Sequence, residues 1–463
     1  MTSSSKNTIL SLTLISLAFT PLAMAQTDVS TVVTSSEGRW EDKSSKDDGW
    51  GDDSWDDSWD ESGAADSATV WHGFFEAGLG NRISYDPALN DRFSPVDDAT
   101  LADFRVRLET SGFVGNDRYA FKADVYADGV EQGIRTDLRE ASYTLSPGQR
   151  TDLKLGQQVL TWGTGDLLFL NDLFPKDWQS FFAGRDTEYL KAPVVAAKAS
   201  YYGETASIDL VWMPDYTSDR YINGDRFSWF SSQTGSNVAA PQGHIDADEP
   251  SNSLANGEFA TRVYGSIDST EWALYGYRGF QKQPNGLDSA GNPVFSRLSV
   301  LGASVRGNLG VGLANAEVAW HMAEDNDGSD PYLPNSQFRF LLGYERELLP
   351  RLTLGLQYYL EQTLDYAALE TASSSSYNPE EYRYLYTTRL NYRMWQDNLV
   401  WSLFAFYSPS DDDHYLRPSV SYRYSDNLSV AVGANIFEGE KPNTFFGQFE
   451  DASNVYARIR YAF

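Results

Sequence analysis

Several arginines lie within short segments that alternate apolar and polar residues. A guanidinium is a rigid fork of donors that binds a carboxylate or a phosphate through two parallel hydrogen bonds. Arginines that share one face of a wall would therefore favour anionic solutes. Carboxylates at similar positions, such as Glu109, Glu345 and Glu361, leave open a second interpretation, in which the opposite charges only brace the wall. The arginines concerned are Arg105, Arg107, Arg339, Arg389, Arg393, Arg417, Arg423, Arg458 and Arg460.

A second group of charged side chains lies in residues 163–191, a stretch that is unusually apolar for a connection. Leu167, Phe169, Phe174 and Trp178 would be a liability if water surrounded them. Folded inward against a wall they would be buried, and the charged residues beside them would line a constriction. Alternatively, these charges satisfy one another within a folded loop or stay solvated outside. The candidates are Asp166, Asp172, Lys176, Asp177, Arg185, Asp186 and Glu188.

Enzymatic chemistry finds little support in the sequence. The four histidines, His72, His244, His321 and His414, lack metal-ligand spacing, and no cysteine is present for thiolate chemistry. No nucleophile and base stand out as a pair. We therefore expect a protein that is not an enzyme and needs no cofactor.

One acidic segment resembles a fragment of a calcium-binding loop, through Asp325, Asp327 and Asp330. It lacks the full twelve-residue pattern and the terminal glutamate, so surface Ca²⁺ is only an alternative to the absence of metal. The net charge of −29 argues against nucleic acid as a partner.

Strands must position these residues, because the sequence from residue 69 onward alternates with a period of two. In residues 352–361, for example, Leu354, Leu356 and Tyr358 alternate with Gly355 and Gln357. We place about eighteen strands, with sixteen to twenty as the range. They begin near residues 70, 101, 118, 137, 151, 192, 205, 257, 270, 296, 310, 337, 351, 383, 397, 414, 427 and 453.

Tight turns and longer connections alternate between these strands. The turns fall at residues 115–117, 146–148, 203–204, 268–269, 307–308, 350, 396–397 and 425–427. The longer loops fall near residues 85–99, 129–136, 163–191, 215–256, 281–294, 322–335, 363–381, 408–413 and 438–452. Such sorting is typical of an all-β, transmembrane, antiparallel up-and-down barrel with short periplasmic turns. A cation facing lipid at mid-depth costs roughly 2–4 kcal/mol, so the arginines should face the lumen.

The N-terminal residues predict export and a separate tail. Residues 1–25 combine Lys6, an apolar stretch and small residues before Gln26, the pattern of a signal peptide. Residues 26–68 are acidic, rich in Ser, Asp and Gly, and carry tryptophans such as Trp50, which predicts a disordered periplasmic tail. This tail could dock a periplasmic partner, plug the lumen or serve as a spacer. Residues 69–463 would form the barrel.

Two segments resemble known outer-membrane proteins. The last strand alternates apolar residues and ends in Tyr461 and Phe463, which closely resembles the signature that the assembly machinery of Gram-negative barrels reads. Residues 156–163, Gly-Gln-Gln-Val-Leu-Thr-Trp-Gly, resemble a strand end found in porin-like families, including alginate-export-type proteins and uncharacterised relatives. Gln157 stands where arginine is common. The resemblance to porins implies that the third long loop forms the constriction.

Together these features predict a porin-like channel in the outer membrane of a Gram-negative bacterium, for diffusion or facilitated passage of small solutes, with anionic solutes as one alternative. Its expected surroundings are outer-membrane lipid, lipopolysaccharide and the barrel assembly machinery. The second functional hypothesis is an outer-membrane scaffold, or a secretion or export partner, that acts through residues 26–68.

Overall fold

Every barrel strand in the computed structural model pairs antiparallel with its neighbours in sequence, and the first strand pairs with the last. The result is a closed sheet of 18 strands. The structure describes residues 70–89, 98–373, 375 and 377–463. The predicted signal peptide (1–25) and tail (26–68) lie outside these residues. The predicted all-β, antiparallel up-and-down barrel of about eighteen strands is confirmed.

The strands are β1 (His72–Arg82), β2 (Ala99–Val114), β3 (Asp117–Asp128), β4 (Gly133–Leu145), β5 (Thr151–Val159), β6 (Pro193–Tyr202), β7 (Ser207–Met213), β8 (Glu258–Ile267), β9 (Thr270–Phe280), β10 (Arg297–Leu309), β11 (Gly312–Ala323), β12 (Gln337–Leu349), β13 (Leu352–Thr363), β14 (Tyr382–Met394), β15 (Leu399–Ser408), β16 (Asp413–Arg423), β17 (Leu428–Gly439) and β18 (Asn454–Ala462). The loops add two short hairpins and the helices α1 (Trp178–Ala183) and α2 (Tyr366–Ala372). Among the described residues, neither helix has the length and hydrophobicity needed to cross a membrane.

Alternation along each strand separates an apolar exterior from a polar lumen. In β2, Phe104 and Leu108 are exposed on the outside, whereas Arg105 and Arg107 are buried inside. Leu342 and Leu356 continue the apolar exterior on β12 and β13. Because every strand hydrogen-bonds on both sides, such a barrel has no open edge and its exterior suits lipid.

Seven of the eight short turns lie where the alternation predicts them, but the turn predicted at residues 307–308 lies at 310–311. Two of the predicted longer loops are also wrong. Residues 129–132 and 409–412 are tight connections, because β4 begins at Gly133 and β16 at Asp413. In the first, the carboxylate of Asp128 accepts the backbone N–H groups of Val130 and Glu131 at 3.0 and 3.1 Å. An aspartate that bonds the backbone two residues on builds a tight turn, and its polar sequence is easily read as a longer loop.

The hydrophobic core of the molecule lies within the barrel. Its buried cluster includes Phe174, Phe181 and Phe182 from the connection between β5 and β6, packed against strand residues such as Tyr415 and Phe437. The connection between β5 and β6 therefore occupies the lumen and limits the space that is left for a solute.

Candidate functional site

The connection between β5 and β6, residues 160–192, is called the inner loop. It enters the lumen at a turn held by one buried carboxylate. Glu317 on β11 accepts the backbone N–H groups of Thr164 and Gly165, the latter at 2.9 Å, and the side-chain amide of Asn171 at 3.0 Å. Gly163 has a φ of +91°, and a Cβ there would lie 3.0 Å from Glu317 Oε1. Gly163 therefore lets the chain turn closely against Glu317.

The next contact fastens the inner loop to the opposite wall. Asp166 is buried and receives two hydrogen bonds from the guanidinium of Arg389 on β14, one of them 2.8 Å long. Gln357 on β13 pairs with the backbone of Asp166, accepting its N–H at 2.8 Å and donating to its carbonyl at 2.9 Å. Arg389, which was predicted to face the lumen, thus pairs with Asp166, which was predicted to lie in the constriction loop.

The middle of the inner loop is organised around α1. Asp177 caps the helix by accepting the N–H of Ser180 at 2.7 Å, and its other oxygen lies 3.1 Å from Arg220. Just before the helix, Lys176 pairs with Asp172 at 2.9 Å. Lys176 and Asp172 therefore satisfy each other within the folded loop, as one interpretation of the sequence proposed, whereas the charged partner of Asp177 comes from the next long loop.

Asp186 and Glu188 anchor the end of the inner loop to β2 and β18. Arg458 donates to Asp186 at 2.9 Å, and Arg107 donates to Glu188 at 2.7 Å. Arg460 lies 3.3 Å from Asp186 and 3.5 Å from Glu188. Three predicted lumen arginines are thus partners of two predicted loop carboxylates.

A further buried cluster joins the loop to β2 and β3. Arg185 donates to Asp103 at 2.6 Å and to Asp128 at 3.0 Å, and Arg105 donates to Asp124 at 2.8 Å. These strand aspartates were not predicted as site residues, although their alternating positions on β2 and β3 place them on the inward face.

Other functional residues that sequence reasoning missed are Glu317, Gln357 and a pair of asparagines. Asn435 on β17 and Asn454 on β18 both donate to the carbonyl of Phe182 at 2.9 Å. Inward-facing polar positions in the alternation are the signal that could have found them.

The remaining predicted arginines differ in their surroundings. Arg339 lies 3.3 Å from Glu361, so this pair follows the bracing interpretation. Arg393 and Arg423 are exposed near the ends of β14 and β16, beside the short turns. At that rim they face the opening of the lumen rather than its centre.

Arg417 on β16 has no carboxylate within 4 Å among the described residues. Its guanidinium donates to the hydroxyl of Thr187 at 3.1 Å and lies 4.4 Å from the centre of the Phe181 ring. Its Nε is buried without a hydrogen-bond partner. At Arg417 and Pro418, the register between β16 and β17 is interrupted, as expected for a residue that cannot donate to the ladder.

Arg417 opens onto a cavity of about 50 Å³ on the short-turn side of the inner loop. Arg458 and Arg460 line it together with Glu76 and Asp186, which makes three cations against two carboxylates. Serine hydroxyls supply further polar groups; the serines are Ser402, Ser419, Ser421 and Ser429.

The other predicted sites lie away from this cavity. Asp325 accepts the backbone N–H groups of Asp327 and Asp330 at 3.3 and 2.8 Å. Among the residues that the structure covers, no group of three acidic or histidine side chains is arranged to hold a metal ion. Tyr461 and Phe463 are exposed on the outside of the barrel, and the backbone of Phe463 bonds to Gly73 at 3.1 Å and 2.9 Å. Their role in assembly stays a prediction.

Comparison with known proteins finds similarity in structure alone. No protein-family model and no curated protein matches the sequence. Acinetobacter baumannii OccAB3 is 10% identical with a TM-score of 0.51, over 86% of this chain and 100% of that one. Pseudomonas aeruginosa OccK2, solved in complex with glucuronate, is 10% identical with a TM-score of 0.51, over 85% and 97%. Pseudomonas aeruginosa OccD3 is 12% identical with a TM-score of 0.50, over 86% and 91%.

A closed 18-stranded barrel with an apolar exterior and a loop inside its lumen has the fold of Gram-negative outer-membrane porins. The structure thus has the barrel fold that the sequence predicted.

Proposed function

We propose that this chain is a channel for small solutes across the outer membrane and that it favours anionic solutes. The observation that carries the proposal is the arginine-rich cavity beneath the inner loop. Arg417 reaches this cavity without a carboxylate partner among the described residues, so its charge remains available to a solute.

The other lumen arginines support the channel differently. Arg107, Arg389, Arg458 and Arg460 are neutralised by five carboxylates, three of them from the inner loop. They position the loop, which leaves Arg417 as the selective charge. A guanidinium in a polar cavity binds carboxylates and phosphates well. Glucuronate, which OccK2 binds, is itself a carboxylate, and this supports the same class of solute here.

The test is the reversal potential of the full chain in planar bilayers under a KCl gradient. We expect the wild type to favour Cl⁻ over K⁺, and Arg417→Gln to lower this permeability ratio several-fold because one positive charge is lost near the path. Arg150→Gln is the matched control, since Arg150 is exposed at a short turn and pairs with Glu204.

Two results would overturn the proposal. A reconstituted protein that passes no current would contradict the channel. A ratio that changes equally in Arg417→Gln and Arg150→Gln would contradict the assignment of selectivity to Arg417.

A further inference from the structure

A second and larger cavity lies on the long-loop side of the inner loop, with a volume of about 340 Å³. Its lining includes strand residues close to the long-loop ends of β12, β13 and β14, among them Arg339, Glu361 and Leu385. A solute that enters from the outside would meet this cavity before it reached the arginine-rich one.

The side of the cavity formed by the inner loop is mostly apolar. Leu167, Leu168, Phe169, Leu173 and Trp178 all line it, and each is only partly buried by the rest of the protein. Their remaining exposed surface therefore faces the cavity. When a solute covers apolar surface of this kind, the free energy of the complex is lowered.

Aromatic rings from the inner loop and from the loop after β17 line this cavity. Trp178 meets Phe169 at 6.0 Å and 71°, and Phe445 at 6.5 Å and 80°, both edge-to-face. Lys176 covers one face of Phe169 at 4.7 Å and Arg383 covers one face of Phe445 at 5.2 Å. A solute ring would use the other faces and the edges, in the edge-to-face and offset contacts that aromatic groups prefer.

The charges around the cavity are already matched by protein partners. Arg339 lies 3.3 Å from Glu361, and Lys176 lies 2.9 Å from Asp172. Arg383 pairs with Asp411 at 2.7 Å.

Of the remaining charged groups of the lining, Lys282 has an opposite charge as its partner, whereas Asp219 is held by neutral hydrogen-bond donors. Lys282 pairs with Glu258 at 2.5 Å. Asp219 accepts the Trp178 indole N–H at 2.9 Å and the Lys176 backbone N–H at 2.7 Å. A charged solute would have to compete for these partners, whereas an uncharged apolar solute would not.

We propose that this cavity is a binding site for an uncharged aromatic or apolar solute. Its volume falls within the range of about 300–1,000 Å³ for small-molecule sites, which are mostly apolar with a few polar groups at the rim. The site goes beyond the anion preference proposed above, because it lies on the other side of the inner loop and uses different residues.

The experiment measures binding of 1-naphthol to the full chain in phosphatidylcholine vesicles, with partition into protein-free vesicles subtracted. We expect saturable binding of one 1-naphthol per chain. The anion 1-naphthalenesulfonate, which carries the same ring system, should bind about tenfold more weakly or worse. Equal or tighter binding of the sulfonate, or no saturable binding of 1-naphthol, would overturn the proposal.

Two variants locate the site. Leu168→Trp fills the cavity and should weaken 1-naphthol binding about tenfold or more, whereas Leu342→Trp on the lipid-facing side should leave it unchanged. Folding of each variant is checked by heat-modifiable migration in gels. If Leu168→Trp does not fold, Phe445→Asp decides, because Phe445 is exposed at the cavity and a charge there should weaken binding.

Unchanged binding in the folded cavity variant would place the site elsewhere and contradict the proposal. Conductance of the same preparations separates the two proposals, since loss of 1-naphthol binding with preserved Cl⁻ preference would contradict only this one.

Discussion

The pair of Asp166 and Arg389 shows how the lumen uses a charge. Both side chains are buried, and two hydrogen bonds join them in a fork-like geometry. A buried ion pair adds little stability over apolar side chains of the same shape, but removal of one partner leaves an uncompensated charge that costs about 3–5 kcal/mol. The pair therefore specifies where the inner loop sits more than it stabilises the barrel.

Asp166→Asn should detach the start of the inner loop, because Arg389 would lose its charged partner in the lumen. We expect faster cleavage of the inner loop by an added protease and a noisier single-channel current. Arg389→Gln added to Asp166→Asn should restore much of the wild-type behaviour, since the unmatched charge disappears. A double variant that is as labile as the single one would show that the charge pair does not hold the loop.

The sequence could predict the face of each arginine but not its partner. A strand has only two faces, and lipid excludes cations from one of them, so the lumen position of Arg389 follows from the alternation alone. Asp166 is 223 residues away in the chain. Which carboxylate meets which arginine depends on the path of the inner loop across the lumen, and alternation contains no information about that path.

At the scale of elements, the inner loop behaves as a bridge fixed at several points. Its first turn rests on Glu317, its helix end on Asn435 and Asn454, and its last part on Arg458 and Arg460. The apolar content of the sequence predicted an inward fold, but these anchors come from strands distant in sequence. Because several separate contacts hold the inner loop to the wall, we expect it to adopt a single conformation.

The carboxylates at the end of the inner loop, Asp186 and Glu188, predict how the channel responds to pH. Burial alone would raise the pKa of Asp186 and of Glu188, but the positive charges of Arg458 beside Asp186 and Arg107 beside Glu188 outweigh it and lower each pKa below its ordinary value. A carboxylate with a lowered pKa contributes stability that is fully present above its unfolded value, 3.8 for Asp and 4.5 for Glu. That stability is lost only as the pH falls toward the lower folded value.

Single-channel conductance should therefore stay constant from pH 8 to pH 5 once the change in solution conductivity is subtracted. Glu188→Gln should alter the conductance at every pH in this range, because it removes the anchor that acid would otherwise remove. A conductance step in the wild type within this range, absent from Glu188→Gln, would mean that the pKa of Glu188 is raised above its ordinary value of 4.5 and that the arginines do not hold it ionised.

At the scale of the whole molecule, the barrel and its filling depend on different forces. The wall closes through backbone hydrogen bonds between neighbouring strands, and its apolar exterior matches the membrane. The filling depends on side-chain contacts between the inner loop and the inward faces. The number and order of strands could therefore be predicted from alternation and turns, whereas the filled lumen required the three-dimensional structure.

This separation predicts that the inner loop can be removed while the barrel remains. Replacing residues 164–190 with a short Gly-Ser linker leaves the ends of β5 and β6 joined and removes no strand hydrogen bond from the wall. We expect a folded barrel, shown by heat-modifiable migration, with a conductance several-fold above the wild type because the lumen is no longer filled. Its preference for Cl⁻ should persist, since Arg458 and Arg460 lose Asp186 and Glu188 and keep only Glu76 between them, which leaves excess positive charge beside Arg417. A folded variant with wild-type conductance would show that the inner loop does not set the width of the path.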